Sequence, residues 1–132
     1  MRFNGHNVLA IIAAAIIIYA IEFVIFAVII PGDQYMALTG MTEGQGDMSR
    51  MPYGAIMPIL TAVGLSTVIN WRNVSGLVGG MTTAMLMAVL FGFGTSLYGF
   101  VYGSNTAAYL PINLGHFLVC WGAAGAVLGA WK

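Results

Sequence analysis

The chain has 132 residues, of which 60% are hydrophobic and only 6% are charged, and its formal net charge is zero. Four basic and four acidic side chains are too few to cover a soluble domain of this size, so the composition is typical of a polytopic membrane protein. Zero net charge without a basic stretch argues against nucleic acid as a partner and against a polybasic lipid-binding arm. We expect a single domain over residues 1–132.

Four apolar runs, taken in chain order, are long enough to cross a hydrocarbon core of about 30 Å. A backbone in lipid must satisfy its own hydrogen bonds, so each run is predicted to be a helix. The sequence thus predicts an all-α membrane protein, built as a compact four-helix transmembrane bundle. We name the runs the first to fourth spans, and their predicted bounds are Val8–Ile30, Tyr53–Ile69, Val74–Tyr98 and Tyr109–Trp131.

The first span contains only two ionisable side chains, Glu22 and the weakly acidic Tyr19. Its apolar run is far longer than the core of a secretory signal, which has about 7–15 residues, and this predicts an anchor that is retained. Pro31 and Gly32 then end the helix. A carboxylate at this depth is expensive in lipid, so we expect Glu22 to face the bundle interior, a partner or a water-filled cavity.

The basic residues predict how the bundle lies in the membrane. With four spans, Arg2, Arg72 and Lys132 fall on one side, and Arg50 falls on the other. The side that is richer in basic residues is cytoplasmic by the positive-inside rule. Both termini are therefore expected inside, and the connections after the first and third spans are expected outside.

Small residues recur every four positions along the spans, which is how helices in lipid approach one another closely. The second and third spans are joined by about four residues and form an antiparallel hairpin, and Pro58 predicts a kink in the second. The small residues either pack the bundle internally or build a docking or homo-oligomer surface. These helix-packing positions are Gly76, Gly80, Ala84, Ala88 and Gly92 in the third span, and Gly125 and Gly129 in the fourth.

Polar side chains from three spans share one slab of the bilayer, in its outer half. At about 1.5 Å of rise per residue, Glu22 lies roughly 12 Å below the outer end of its span, and His116 and Thr61 lie at a similar depth. Asn113 shares a helix face with His116, as Tyr19 does with Glu22. The depths predict a Glu22–His116 hydrogen bond or ion pair, with the other three as further partners. The pair either fixes helix register or binds a proton, an ion or a ligand.

Signals for other chemistry are weaker. A metal site is not expected, because one histidine, one glutamate and Cys120 on the turn after His116 make a poor ligand set. The segment Glu43–Asp47 is acidic and glycine-rich but lacks the spacing of a calcium loop, so it is predicted to be a solvated turn. The sequence has no phosphate loop and no nucleophile beside a base. We expect no cofactor and no enzymatic activity.

A resemblance to a known family is carried by four segments, Asn7–Ala10, Tyr35–Thr42, Ile112–His116 and Gly129–Trp131. The chain resembles a family of small bacterial four-span membrane proteins that is known only as a domain of unknown function. The resemblance implies a bundle in the bacterial inner membrane and supplies no activity. Members of that family usually carry a Trp-Tyr pair late in the first span, whereas this chain has the acid Glu22 there.

These observations leave three functions open. The first is an accessory or assembly subunit of a larger membrane complex, whose partners are membrane lipid and other membrane-protein subunits or further copies of itself. The alternative is a homo-oligomeric proton-linked transporter or channel that uses the Glu22–His116 pair, with Pro58 as a hinge. The least favoured is a membrane enzyme for a lipid-soluble substrate, which would need the same few polar residues.

Overall fold

The chain is built almost entirely of helices in a computed structural model that describes residues 1–42 and 48–132. The acidic turn predicted at 43–47 lies outside these described residues. Four helices are long and apolar enough to cross a membrane, with 22, 23, 25 and 22 residues. The predicted all-α class is confirmed, and these four helices are those of a multi-pass membrane protein. The observed spans are Val8–Ile29, Ser49–Trp71, Leu77–Val101 and Tyr109–Ala130.

The first part of the chain contains a hairpin, the first span and a short extra helix. Strands β1 (Arg2–Phe3) and β2 (His6–Asn7) pair in an antiparallel hairpin before the membrane. The first span consists of α1 (Val8–Phe23) and a π-helix (Val24–Ile29). Helix α2 (Gly32–Thr39) follows it, in a connection that the sequence pattern predicts as a loop.

The other three spans differ in how regular they are. The fourth is one continuous helix, whereas the second and third each change helical geometry along their length. The second consists of a 3-10 helix (Met48–Ala55) and α3 (Ile56–Trp71); the third consists of α4 (Leu77–Met87), a π-helix (Ala88–Phe93) and α5 (Gly94–Val101); the fourth is α6 (Tyr109–Ala130).

Local sequence sets where several helices begin and end. The side chain of Asn7 accepts a hydrogen bond from the Ala10 N–H at 3.3 Å, which caps the start of α1. Gly40 ends α2 with φ of 68°, in the left-handed region that glycine adopts without strain. Gly76 has φ of 86° directly before α4, so the third span starts at Leu77 and not at the predicted Val74.

The second span is longer than its apolar run predicts. It starts at Ser49, because the 3-10 helix extends the α-helix towards the amino terminus. Pro58 therefore stands in the first turn of α3, where a proline removes no α-helical hydrogen bond. The change from 3-10 to α geometry lies just before Pro58, and the kink that the sequence predicts in this span stays a prediction.

The fourth span lies at the centre of the bundle. It packs against each of the other three spans, most extensively against the third, and it is the most buried of the four. The first span packs against the fourth and the second. The core between them consists of small and aliphatic side chains, namely Ala10, Ala14, Ala15, Ile18, Ala62, Leu65, Ile69, Ala84, Cys120, Ala124 and Leu128.

Small residues bring the third and fourth spans into backbone contact. A Cβ atom at Gly80 would collide with the carbonyl oxygen of Gly125 and with the backbone of Gly129. A Cβ atom at Gly125 would collide with the Ala84 side chain. The Gly76 N–H donates a hydrogen bond to the Gly129 carbonyl at 2.9 Å, which closes the same seam at its end. These five residues therefore act in packing within the single chain.

The remaining helix-packing positions of the third span also face inward. Ala88 is fully buried, and Gly92 packs against the ring of Phe117 in the fourth span. The row of small residues thus continues into the π-helix of the third span. There it contacts an aromatic ring of the fourth span, whereas at Gly80 it contacts the backbone of that span.

The two chain termini meet at one end of the bundle. The Arg2 guanidinium donates a hydrogen bond to the Lys132 carbonyl at 3.0 Å, and the Asn7 amide donates one to the Trp131 carbonyl at 2.7 Å. The Lys132 ammonium donates to the Val74 carbonyl at 2.9 Å, in the connection between the second and third spans. We call this the termini end of the bundle.

Helix α2 is tied to the other end of the bundle, which we call the α2 end. The Ser104 hydroxyl donates a hydrogen bond to the Thr39 carbonyl at 2.7 Å, and the Thr106 hydroxyl donates one to the Leu38 carbonyl at 2.7 Å. Both donors lie in the connection that leads into the fourth span. This connection and α2 together cover one side of that end.

We expect Gly125→Ala to destabilise the bundle and Gly115→Ala, in the same helix, to leave it as stable or more so. A methyl group at 125 collides with the third span, whereas nothing lies within 4 Å of a Cβ atom at 115. Overpacking a tight contact costs about 1–3 kcal/mol, and replacing an open helical glycine by alanine gains up to about 1 kcal/mol. Unfolding in mixed detergent micelles, followed by circular dichroism, measures both. Equal stabilities would contradict the packing described above.

Candidate functional site

Glu22 of the first span and His116 of the fourth span meet inside the bundle. His116 Nε2 lies 3.3 Å from Glu22 Oε1, a hydrogen bond slightly longer than the usual range of about 2.7–3.2 Å. The histidine side chain is buried, with 8% of its surface exposed, whereas 34% of the glutamate side chain is exposed. The pair therefore reaches from the interior of the bundle to its perimeter.

The first span changes its helical geometry directly after Glu22. Helix α1 ends at Phe23, and the π-helix Val24–Ile29 follows. A π-helical segment places an additional residue in each turn, and such segments are frequent at functional sites. Phe26 lies in this segment and contacts the His116 ring edge to face, with ring centroids 4.9 Å apart. The wider turn thus positions the aromatic neighbour of the pair.

Aromatic rings surround the imidazole and continue towards the α2 end. The Phe117 ring lies 4.9 Å from that of His116. The Phe26 ring contacts Tyr35 of α2 at 5.5 Å, and Tyr35 contacts Tyr109 at the start of the fourth span at 6.1 Å. This series of rings therefore leads from the pair to the α2 end of the bundle.

Cys120 joins the pair as a third chemically active side chain. It lies four residues after His116, so both project from the same face of the fourth span. Its thiol is fully buried, and its sulfur lies 4.0 Å from the Ile18 carbonyl oxygen of the first span. One donor atom each of Glu22, His116 and Cys120 lies within 4.8 Å of the other two. We call these three residues the Glu–His–Cys cluster.

The second ring nitrogen of His116 has no partner within the described part of the chain. Nδ1 is buried and makes no hydrogen bond there. In the neutral ring that donates from Nε2 to Glu22, Nδ1 carries a bare lone pair; in the charged ring it carries a bare N–H. Either state leaves one polar position unsatisfied, so Glu22 is the polar contact that orients this ring.

Three other residues of the predicted polar cluster do not join the pair. Tyr19 is 54% exposed and lines a shallow groove beside the second span. Thr61 lines a different groove, next to Trp121. Asn113 is 5% exposed, and within residues 1–42 and 48–132 its side chain hydrogen-bonds neither member of the pair. Depth along a helix fixes the height of a side chain but not its direction around the axis.

Comparisons with known proteins add no relative to this geometry. No family model, no curated protein and no solved structure matches the chain. The family resemblance inferred from the four sequence segments therefore stays a prediction.

We expect Glu22→Leu to lower the free energy of unfolding by about 1–3 kcal/mol, because it leaves both ring nitrogens of buried His116 without a partner. Glu22→Gln should lose less, since an amide still hydrogen-bonds the imidazole. Tyr19→Phe serves as the control, because the Tyr19 side chain is 54% exposed and lines a groove beside the second span. Unfolding in mixed detergent micelles ranks the four proteins. Equal stability of the leucine and glutamine variants would show that the contact contributes nothing to the fold.

Proposed function

We propose that the chain is a non-enzymatic accessory or assembly subunit, which docks in the membrane through the face of the first span that carries Glu22. The observation that carries this proposal is the exposure of 34% of the Glu22 side chain at a depth where the surroundings are otherwise hydrocarbon. A carboxylate that faces lipid is expensive, and such groups usually face a protein or a water-filled cavity. A second protein surface over Glu22 shields the carboxylate from lipid and lowers this free-energy cost.

The neighbourhood of Glu22 supports docking by a helix. Tyr19 lies three residues before Glu22, on the same face of the helix, and is 54% exposed. Apolar exposure alone is ordinary for a membrane helix, so the carboxyl group of Glu22 is what distinguishes this face. The small residues of the third and fourth spans are already used in internal contacts and do not supply a docking surface.

We further propose that the protein lies in the bacterial inner membrane with the termini end in the cytoplasm. Arg2 and Lys132 are at that end. Arg72 directly follows α3, in the connection between the second and third spans, and Lys132 contacts this connection at Val74. Three basic residues at one end are the arrangement that the positive-inside rule associates with the cytoplasmic side. The bacterial compartment rests on the family resemblance.

A homo-oligomeric proton-linked transporter or channel is the second candidate. The observation in its favour is the carboxylate–imidazole pair, whose Nε2 and Oε1 atoms lie 3.3 Å apart, because such pairs occur in the proton relays of membrane proteins. The groove that Tyr19 lines and a second groove, between the first and fourth spans beside Val119, are both lined almost entirely by apolar side chains. A pathway for protons would therefore have to form between copies of the chain, with Glu22 of each copy facing it.

Photo-crosslinking tests the docking face directly. We expect benzoylphenylalanine in place of Tyr19 to form an adduct of defined mass in native membranes, because residue 19 lies one turn from Glu22 and is 54% exposed. The same amino acid in place of Phe91, which is 60% exposed on the third span, is the matched control and should form no such adduct. Glu22→Leu should reduce the yield at position 19 several-fold.

Mass spectrometry of the adduct separates the two candidates. A different membrane protein supports the accessory subunit, whereas a second copy of this chain supports the homo-oligomer and makes proton flux through the Glu22→Gln variant the next measurement. No adduct at position 19, or equal adducts at positions 19 and 91, contradicts docking at this face.

A further inference from the structure

We propose that Glu22, His116 and Cys120 form a binding site for one divalent transition-metal ion of the zinc type. A carboxylate oxygen, an imidazole nitrogen and a thiol sulfur, each from one residue, lie within 4.8 Å of one another. The sequence alone argues against a metal here, because one histidine, one glutamate and Cys120 on the turn after His116 make a poor ligand set. The site does not depend on the docking proposed above, since all three ligands come from the same copy of the chain.

The distances are close to those of a formed site. In tetrahedral zinc sites nitrogen and oxygen ligands lie about 2.0–2.1 Å from the metal, which places them about 3.3 Å from each other. His116 Nε2 and Glu22 Oε1 are 3.3 Å apart. A thiolate at about 2.3 Å from the metal lies about 3.6 Å from such ligands. With all pairs within 4.8 Å, closure around an ion requires movements on the order of 1 Å.

The charges of the cluster select a divalent ion. Metal binding requires the thiolate form, so Cys120 releases its proton when the ion enters. One carboxylate, one thiolate, one neutral imidazole and one M²⁺ then sum to zero net charge. A neutral complex is what a low-dielectric interior tolerates best, because an uncompensated charge there carries a large desolvation penalty. A monovalent or trivalent ion would leave a net charge in the bundle.

The ligand types select a borderline metal over magnesium or calcium. Imidazole and thiolate are ligands of zinc and its transition-metal neighbours, whereas magnesium and calcium prefer oxygen alone. Three protein ligands leave the fourth tetrahedral position open. Since Glu22 is 34% exposed, that position is at the perimeter side of the cluster, where a water or a donor from another molecule completes the site.

A hydrogen-bonded pair that only fixes helix register explains less of this geometry. It accounts for Glu22 and His116 but gives no role to Cys120, which would then be a small apolar side chain in the core. Both interpretations predict a stable contact between the first and fourth spans. They differ in whether the purified protein binds a metal through sulfur, and this can be measured.

Cobalt(II) is the probe, because a thiolate ligand gives it a charge-transfer band in the near ultraviolet and tetrahedral geometry gives it strong visible bands. We expect the chelator-treated, detergent-solubilised full chain to bind one Co²⁺ with both features, and Zn²⁺ to displace it. Cys120→Ala should lose the charge-transfer band and bind at least tenfold more weakly. Glu22→Gln, which still hydrogen-bonds His116, should also bind at least tenfold more weakly.

His6→Gln is the matched control, since His6 is the only other histidine and lies near the termini end, beside Ser66. Its cobalt spectrum and affinity should equal those of the wild-type protein. A folded wild-type protein without the charge-transfer band overturns the proposal, as does a Cys120→Ala variant with unchanged affinity. If Cys120→Ala does not fold, the wild-type spectrum and the Glu22→Gln affinity decide, and equal affinities overturn the site.

Discussion

The contact between the third and fourth spans is the constraint on which the rest of the structure depends. Because Gly80, Gly125 and Gly129 carry no side chains, the two backbones touch. Lipid offers helices no hydrophobic reason to associate, so this close approach provides van der Waals contact that larger residues would prevent. It holds the fourth span in the centre of the bundle, where it also contacts the first and second spans.

The same helix carries the candidate site on another face. At 3.6 residues per turn, Cys120 and Gly125 are about 140° apart around the axis, and so are His116 and Gly129. One face of the fourth span is therefore fitted to the third span, while another presents an imidazole and a thiol to the first. A change that loosened the glycine contact would therefore rotate or displace His116 and Cys120 relative to Glu22.

Polar groups in the spans fall into two classes that differ in how they are satisfied. Several threonine hydroxyls donate back to the carbonyl oxygen four residues earlier, so their own helix satisfies them: Thr67 to Val63, Thr82 to Val78 and Thr95 to Phe91. A carboxylate has no proton to donate when ionised, and an imidazole is too rigid to reach its own backbone in this way. Glu22 and His116 therefore require another helix, an ion or a partner, which is why the functional argument rests on them.

The sequence predicts the depth of the site along the helices better than it predicts which side chains form the site. Hydropathy and helical rise place Glu22 and His116 at one depth, and the structure brings them together. The same reasoning selects Thr61, which lines a groove elsewhere because rise says nothing about rotation around the axis. Tyr19 does share a helix face with Glu22, but its exposed side chain lines a groove beside the second span. Cys120 is one helical turn from His116, so its position was available from the sequence, but its distance to Glu22 depends on how two helices pack. The π-helix after Phe23 has no sequence signal comparable to proline or glycine.

Docking and metal binding are two ways to satisfy the same carboxylate, and this couples them. Without an ion, the partly exposed carboxyl group of Glu22 requires a hydrogen-bond donor on the partner surface. With an ion, the cluster is neutral and its open coordination position faces the perimeter. There the ion binds a partner side chain that offers a lone pair, such as a carboxylate or an imidazole. The two states therefore favour partners of opposite character at one place on the first span. If both proposals hold, occupancy of the metal site and choice of partner are linked, and by reciprocity the partner changes the metal affinity by the same factor.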